Sequence, residues 1–170
     1  QCPNTPAGEA VGVNGCSAAQ TLPPDPASVA PELDPTAPTS MLQATEFLYT
    51  GPNPIQTGVA PGTIVAQRVA VLRGKVLQRD GSPLTGVTLS IKDHPELGQT
   101  LSRADGQFDL VVNGGGNLTV RYTKAGYLPA HRSLATPWRD YRSLADVVMI
   151  AFDQQVTTVD LAAAIPIQVA

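Results

Sequence analysis

The chain has 170 residues, enough for one ordinary domain with an appendage and for a core that needs no metal to hold it. A formal charge of −3 with eleven scattered Lys and Arg leaves no basic stripe, which excludes nucleic acid as an expected partner. No run of about 18 apolar residues occurs and no basic-then-apolar leader opens the chain, so neither a membrane span nor a signal peptide is expected. Only 15% of residues are charged, against 15 Gly and 16 Pro. That is the profile of an extracellular β protein, in which unpaired sheet edges invite association.

Three stretches follow one another. Residues 1–20 hold both cysteines, Cys2 and Cys16, among Pro, Asn and Gly. Their spacing favours a disulfide-closed loop, worth about 3 kcal/mol in the chain-entropy model, and hence an oxidising compartment. Two free thiols in a cytosolic protein are the alternative. Residues 21–40 contain Pro23, Pro24, Pro26, Pro31, Pro35 and Pro38, which block both helix and central strand. An extended, mobile linker reaching on the order of 60 Å is expected there.

From 41 to 170 a β domain is expected. Thr45 to Tyr49 reads as a short strand ended by Gly51-Pro52-Asn53-Pro54. Further strands are expected at about 69–78, 86–92, 99–103, 107–112, 116–123, 130–134, 145–152 and 156–161. Turn signals separate them: Asp80-Gly81-Ser82-Pro83, Asp93-His94-Pro95, Ala104-Asp105-Gly106, a hairpin turn at Asn113 to Gly116, and Lys124-Ala125-Gly126. Val87, Leu89 and Ile91 alternate with Thr88, Ser90 and Lys92, and Leu118, Val120 and Tyr122 repeat the pattern. Phe108 and Leu110 would face a core while Asp109 faces water. Short, evenly spaced strands of this kind argue for an antiparallel, Greek-key-like β-sandwich with an extended Pro-rich amino-terminal arm.

The runs Val71-Leu72-Arg73-Gly74-Lys75-Val76, Asp80 to Leu89, Ala104-Asp105-Gly106-Gln107-Phe108 and Lys124-Ala125-Gly126-Tyr127 resemble the carboxypeptidase-regulatory-like, or transthyretin-like, β-sandwich family. That resemblance implies the fold and leaves function open, since such modules are adhesive, carbohydrate-associated or spacer units. A longer resemblance, from Phe47-Leu48-Tyr49-Thr50-Gly51 through Ser90-Ile91-Lys92-Asp93-His94 to Asp146-Val147-Val148-Met149-Ile150, is to the amino-terminal region of bacterial YD-repeat (Rhs, teneurin-like) surface proteins. It implies a secreted module at a bacterial cell surface, cut from or related to a much larger protein. Cys2 to Gly8 and Val13 to Cys16 resemble the end of a thrombospondin type 3 repeat. In that family Asp-rich loops hold Ca²⁺. Here only Asn4, Glu9 and Asn14 remain as candidate ligands, and Gly12 stands where the family often has Asp.

No other cofactor and no catalysis are expected. The two histidines, His94 and His131, lie in a turn and at a strand start, outside any nucleophile elbow or metal-ligand spacing. The Gly114-Gly115-Gly116 run lacks the Lys and helix of a phosphate loop. Trp138, Tyr141 and Tyr127 offer rings for a carbohydrate, or Trp138 closes one end of the core. The apolar tail with Ile165, Ile167 and Val169 and the arm with Pro23, Pro24 and Pro31 suggest head-to-tail contact between copies, which need not close and so gives a filament. The expected function is therefore a structural or adhesive unit touching other copies of itself or neighbouring domains, with a carbohydrate-binding or spacer module as the alternative.

Overall fold

The computed structural model describes residues 22–153 and 155. In chain order it contains the one-turn helix α1 (Pro26–Val29), helix α2 (Met41–Thr45) continued by a 3-10 turn at Glu46–Leu48, and strands β1 (Gln56–Thr57), β2 (Val69–Leu77) and β3 (Thr88–Ile91). After a second 3-10 turn, Pro95–Leu97, come β4 (Gln99–Leu101), β5 (Gln107–Asn113), β6 (Gly116–Thr123), β7 (Ala130–Thr136), β8 (Asp140–Ser143) and β9 (Val147–Val148).

The strands form two facing sheets, giving the all-β sandwich that the turn spacing implied. One has the order β1-β4-β3-β6-β7, antiparallel throughout. The other has the order β5-β2-β8, with β9 also beside β2. Between them lie Ala70, Leu72 and Val76 of β2, Phe108, Leu110 and Val112 of β5, Leu89 and Ile91 of β3, and Val120 and Tyr122 of β6. Phe108 and Tyr122 meet edge to face, with ring centroids 5.9 Å apart and planes at 81°. Gly74 leaves room for this pair, because a Cβ there would stand 2.9 Å from the Phe108 ring.

A second apolar cluster lies on the outer side of β2 and β5. Val69, Val71 and Val111 are covered there by Leu48 and Ile55, with Met41, Leu42, Phe47 and Tyr49 around them. The covering segment corrects the strand expected at Thr45 to Tyr49. Ser40 starts α2 with a capping box: its hydroxyl accepts from the Gln43 backbone N–H and the Gln43 side chain accepts from the Ser40 N–H. Met41, Thr45 and Leu48 then fall four and three apart on one face, a helical spacing that lays them on the sheet. The chain next pins itself to the free edge of β5. The buried Gln56 amide donates to the carbonyls of Leu97 (2.6 Å) and Val111 (2.9 Å), and its oxygen accepts from the Val111 N–H (2.6 Å). One side-chain amide thus stands in for a neighbouring strand and joins the two sheets.

Other expectations also change. β8 and β9 run parallel to β2, so the second sheet is mixed rather than antiparallel. β8 was not anticipated, because all four of its residues are exposed and carry no alternation. The strand expected over 145–152 reduces to β9 and an isolated bridge, Tyr127↔Ala151. The Gly114 to Gly116 turn is no hairpin: it carries the chain from β5 in one sheet to β6 in the other. A Cβ on Gly114 would lie 1.7 Å from the Pro137 carbonyl oxygen, so the crossing requires glycine.

The arm is not free either. Pro26 is buried, Leu22 and Pro23 are half-buried, and Pro24 lines a cavity of 470 Å³ with Pro54, Gln99 and Leu101. Asp25 caps α1 by accepting from the Ala27 N–H at 2.9 Å. The prolines do restrict the backbone, but apolar contact with its own sandwich holds this part of the arm in place. Cys2, Cys16, Asn4, Glu9, Asn14, the strand at 156–161, and Ile165, Ile167 and Val169 lie outside the described residues.

Candidate functional site

Three places on the sandwich carry chemistry beyond packing. The first is Asp109 on β5, which was expected to face water and is instead 3% exposed. Arg73, opposite it on β2, donates Nε–H to Oδ1 at 2.5 Å, and Arg103 donates Nη1–H to Oδ2 at 2.5 Å. Two guanidinium groups thus compensate a carboxylate that burial alone would penalise heavily. The Arg73 guanidinium also lies over the Tyr141 ring, 4.4 Å from its centroid. Asp25, Pro26 and Ala27 close the outer side of this cluster around a cavity of 200 Å³. The group is a structural clamp joining β2, β5, β8 and the arm.

The second place is the outer face of the five-stranded sheet. Strand register puts Thr57, Gln99, Ser90, Arg121 and His131 in one row across β1, β4, β3, β6 and β7. Their inward-facing neighbours Leu89, Ile91, Val120 and Tyr122 are buried, so this row points outward. All five line a cavity of 630 Å³, walled by Lys92, Asp93 and Pro95 on one side and Pro129 on the other. Lys92 and Asp93 pair at 3.4 Å. His94 stands outside this cavity and bonds Glu96 at 2.9 Å, which holds the Glu96 carboxyl below its usual range. The two histidines therefore do not share a site.

The third place is where the bridge Tyr127↔Ala151 ties 126–128 to 150–152. The Leu128 N–H donates to the Ile150 carbonyl and the Phe152 N–H to the Gly126 carbonyl, both at 2.8 Å. Leu128, Ile150 and Phe152 share one face of this pairing and are 49%, 53% and 48% exposed. Lys124 and Tyr127 fasten the turn beneath: Lys124 Nζ donates to the Thr85 carbonyl at 2.8 Å, and Tyr127 Oη to the Gln78 side chain at 3.3 Å.

The aromatic residues singled out from the sequence are not brought together. Trp138 is 61% exposed rather than closing the core, and its ring lies against Gly115, where a Cβ would stand 1.6 Å from Nε1. Tyr141 sits over Arg73 and Tyr127 by Gln78, and among the described residues the ring pair is Phe108 with Tyr122. The Tyr122 phenol is pushed well above its ordinary range by burial, and its oxygen has no hydrogen-bond partner among the described residues. Pro23 and Pro24 lie against their own domain, while Pro31 is exposed. Arg121 and its row were not anticipated. Each is a single polar residue in an alternating strand, and only the register gathers them.

The fold and these surfaces define a transthyretin-like β-sandwich module. The family model described as "Teneurin TTR-like domain" matches residues 64–149, and the chain belongs to that family. It is 32% identical to Teneurin-3 of Danio rerio over 154 residues, covering 85% of this chain and 6% of the relative. With Teneurin-4 of Homo sapiens the identity is 34% over 111 residues, 65% of this chain and 4% of the relative. Among solved structures, a type II cohesin–X-dockerin complex from Acetivibrio cellulolyticus is similar over 48% of this chain and 58% of that chain, at 19% identity and a TM-score of 0.41. That likeness is too slight to add to the family assignment. The chain thus spans about one-twentieth of the length of the teneurins it matches.

Proposed function

We propose that this module is a non-enzymatic structural unit of a large extracellular teneurin-like protein, a rigid sandwich that packs against a neighbouring part of the same polypeptide. The observation that carries the reading is the apolar face of Leu128, Ile150 and Phe152, held in fixed register by backbone hydrogen bonds yet about half exposed. Contiguous exposed apolar side chains of this kind often mark a contact surface. The occupant is assigned to the parent chain because the module amounts to 6% of Teneurin-3, so most of any teneurin-like polypeptide lies elsewhere. The same reading keeps Cys2 and Cys16 bridged in an oxidising setting and treats residues 1–20 as the end of a thrombospondin type 3 repeat, with Asn4, Glu9 and Asn14 as its candidate calcium ligands. The relatives named above come from a fish and from human, and lend no support to a bacterial surface.

Self-assembly into a filament is the competing use of the same surface. The docking of Leu22 to Pro26 on their own sandwich weakens the arm's claim to be the joint, which leaves the tail and the apolar face. Light scattering across a concentration series, on the chain and on Ile150→Glu, decides between them. A monomer at every concentration, with less binding of an apolar dye in Ile150→Glu, fits a face meant for its own polypeptide. Particles that grow with concentration and vanish in Ile150→Glu assign the face to a second copy. Growth unaffected by the substitution would remove the face from either role.

A further inference from the structure

We infer that the outer face of the five-stranded sheet is a binding site for an acidic saccharide, a chain of uronate-bearing sugars, with Arg121 as the carboxylate anchor. This site adjoins the apolar face, since Arg121 and Pro129 also line a cavity of 380 Å³ with Phe152, and it does not include the Trp138 and Tyr141 rings.

The floor is the row Thr57, Gln99, Ser90, Arg121 and His131, one side chain from each of five strands. Adjacent strands lie about 4.8 Å apart, so the row runs on the order of 20 Å, in a trough of 630 Å³. Every floor residue can hydrogen-bond: two hydroxyls, an amide, a guanidinium and an imidazole. Charge favours an anion. The protein as a whole is at −3, yet the trough holds Arg121 and Lys92 against a single carboxylate, Asp93, which already pairs with Lys92. Arg121 makes no ion pair or side-chain hydrogen bond with any described residue, so its planar fork is open to a carboxylate.

The form of the trough selects among anions. A peptide joining by strand addition would take an unpaired sheet edge, whereas this floor runs across the strands and offers side chains rather than backbone groups. A neutral sugar is typically held by stacking on Trp, Tyr or Phe rings, and among the described residues none of these lines the trough. Dense polar donors around a guanidinium that is unpaired among the described residues match a ligand with many hydroxyls and a repeating carboxylate.

The test is calorimetric titration of the purified chain with a hyaluronan hexasaccharide, beside maltohexaose as the uncharged control and penta-glutamate as the acidic peptide. Binding of the uronate sugar alone is expected, weakening as salt rises. Arg121→Gln should lower that affinity about tenfold or more, the worth of a charge-assisted hydrogen bond. Arg142→Gln, which removes an exposed arginine from β8 on the other sheet, should leave it unchanged. Melting curves for both variants separate lost binding from lost fold, and Ser90→Ala gives a second, milder probe of the same floor. The proposal is overturned if the uronate sugar does not bind, if Arg121→Gln binds it as well as the parent, if Arg142→Gln weakens it equally, or if penta-glutamate binds as tightly.

Discussion

The two sheets of this sandwich share one core and differ in what lies on their outer sides. In the sheet built on β2 and β5, the first half of β2 and most of β5 are buried on both faces: Val69 to Leu72 and Phe108 to Val112 are at most 3% exposed. Its outer face is covered by α2, the 3-10 turn and Ile55. The sheet built on β3 and β6 has its inner face in the core, and among the described residues its outer face meets Leu22 to Pro24 only at the β1–β4 end, so its strands alternate, as in Thr88-Leu89-Ser90-Ile91. A continuous apolar run thus marks a strand with two dry faces, and strict alternation marks one with a wet face. The comparison also separates stability from recognition. The covered face holds the clamp and the Gln56 stitch, whereas the open face keeps Arg121, which pairs with none of the described residues.

Substitutions can break this comparison. The largest effect is expected from Asp109→Ala, which leaves the buried Arg103 with only the more distant, half-exposed Asp105 carboxylate at 3.9 Å: about 4 kcal/mol lost in urea unfolding, with Arg73 freed from its place over Tyr141. A loss under about 1 kcal/mol would mean the clamp is dispensable. Leu48→Ala should cost about 3 kcal/mol, matching Leu89→Ala in the inter-sheet core, because both side chains are at most 2% exposed. If Leu48→Ala were neutral while Leu89→Ala was severe, the cover would not belong to the cooperative unit. Gln56→Ala should cost about 2 kcal/mol, since it strands the buried Val111 N–H and two carbonyls. Hydrogen exchange at Val111 should accelerate with it. Arg121→Gln sits at the other end, with a change within about 0.5 kcal/mol, as befits an exposed side chain without partners among the described residues. A large loss there would make Arg121 a structural residue and remove the contrast between the two faces.

Much of this architecture was legible locally. β2 to β7 fall where alternation and turn residues placed them, because strand period and glycine or proline turns are set by near neighbours. The exposed positions of His94 and His131 were readable for the same reason. The misses share a cause in distance along the chain. Asp109 alternates like a solvent-facing residue, and it is buried because Arg73, 36 residues earlier, and Arg103 converge on it. The helix at 41–45 was masked by an aromatic, strand-like Phe47-Leu48-Tyr49, although Ser40 and Gln43 already spelled its capping box. β8 has no pattern of its own and exists because the edge of β2 is free to receive it.

Periodicity and turn chemistry along the chain therefore decided that this protein is a β-sandwich, and which residues line its core. The assembled sheets alone decided the parallel pairing of β8 and β9, the seating of the proline arm and the gathering of Thr57, Gln99, Ser90, Arg121 and His131 into one row. Hydrophobic period is a local property of a segment, whereas register and burial of charge depend on which distant strand arrives alongside it.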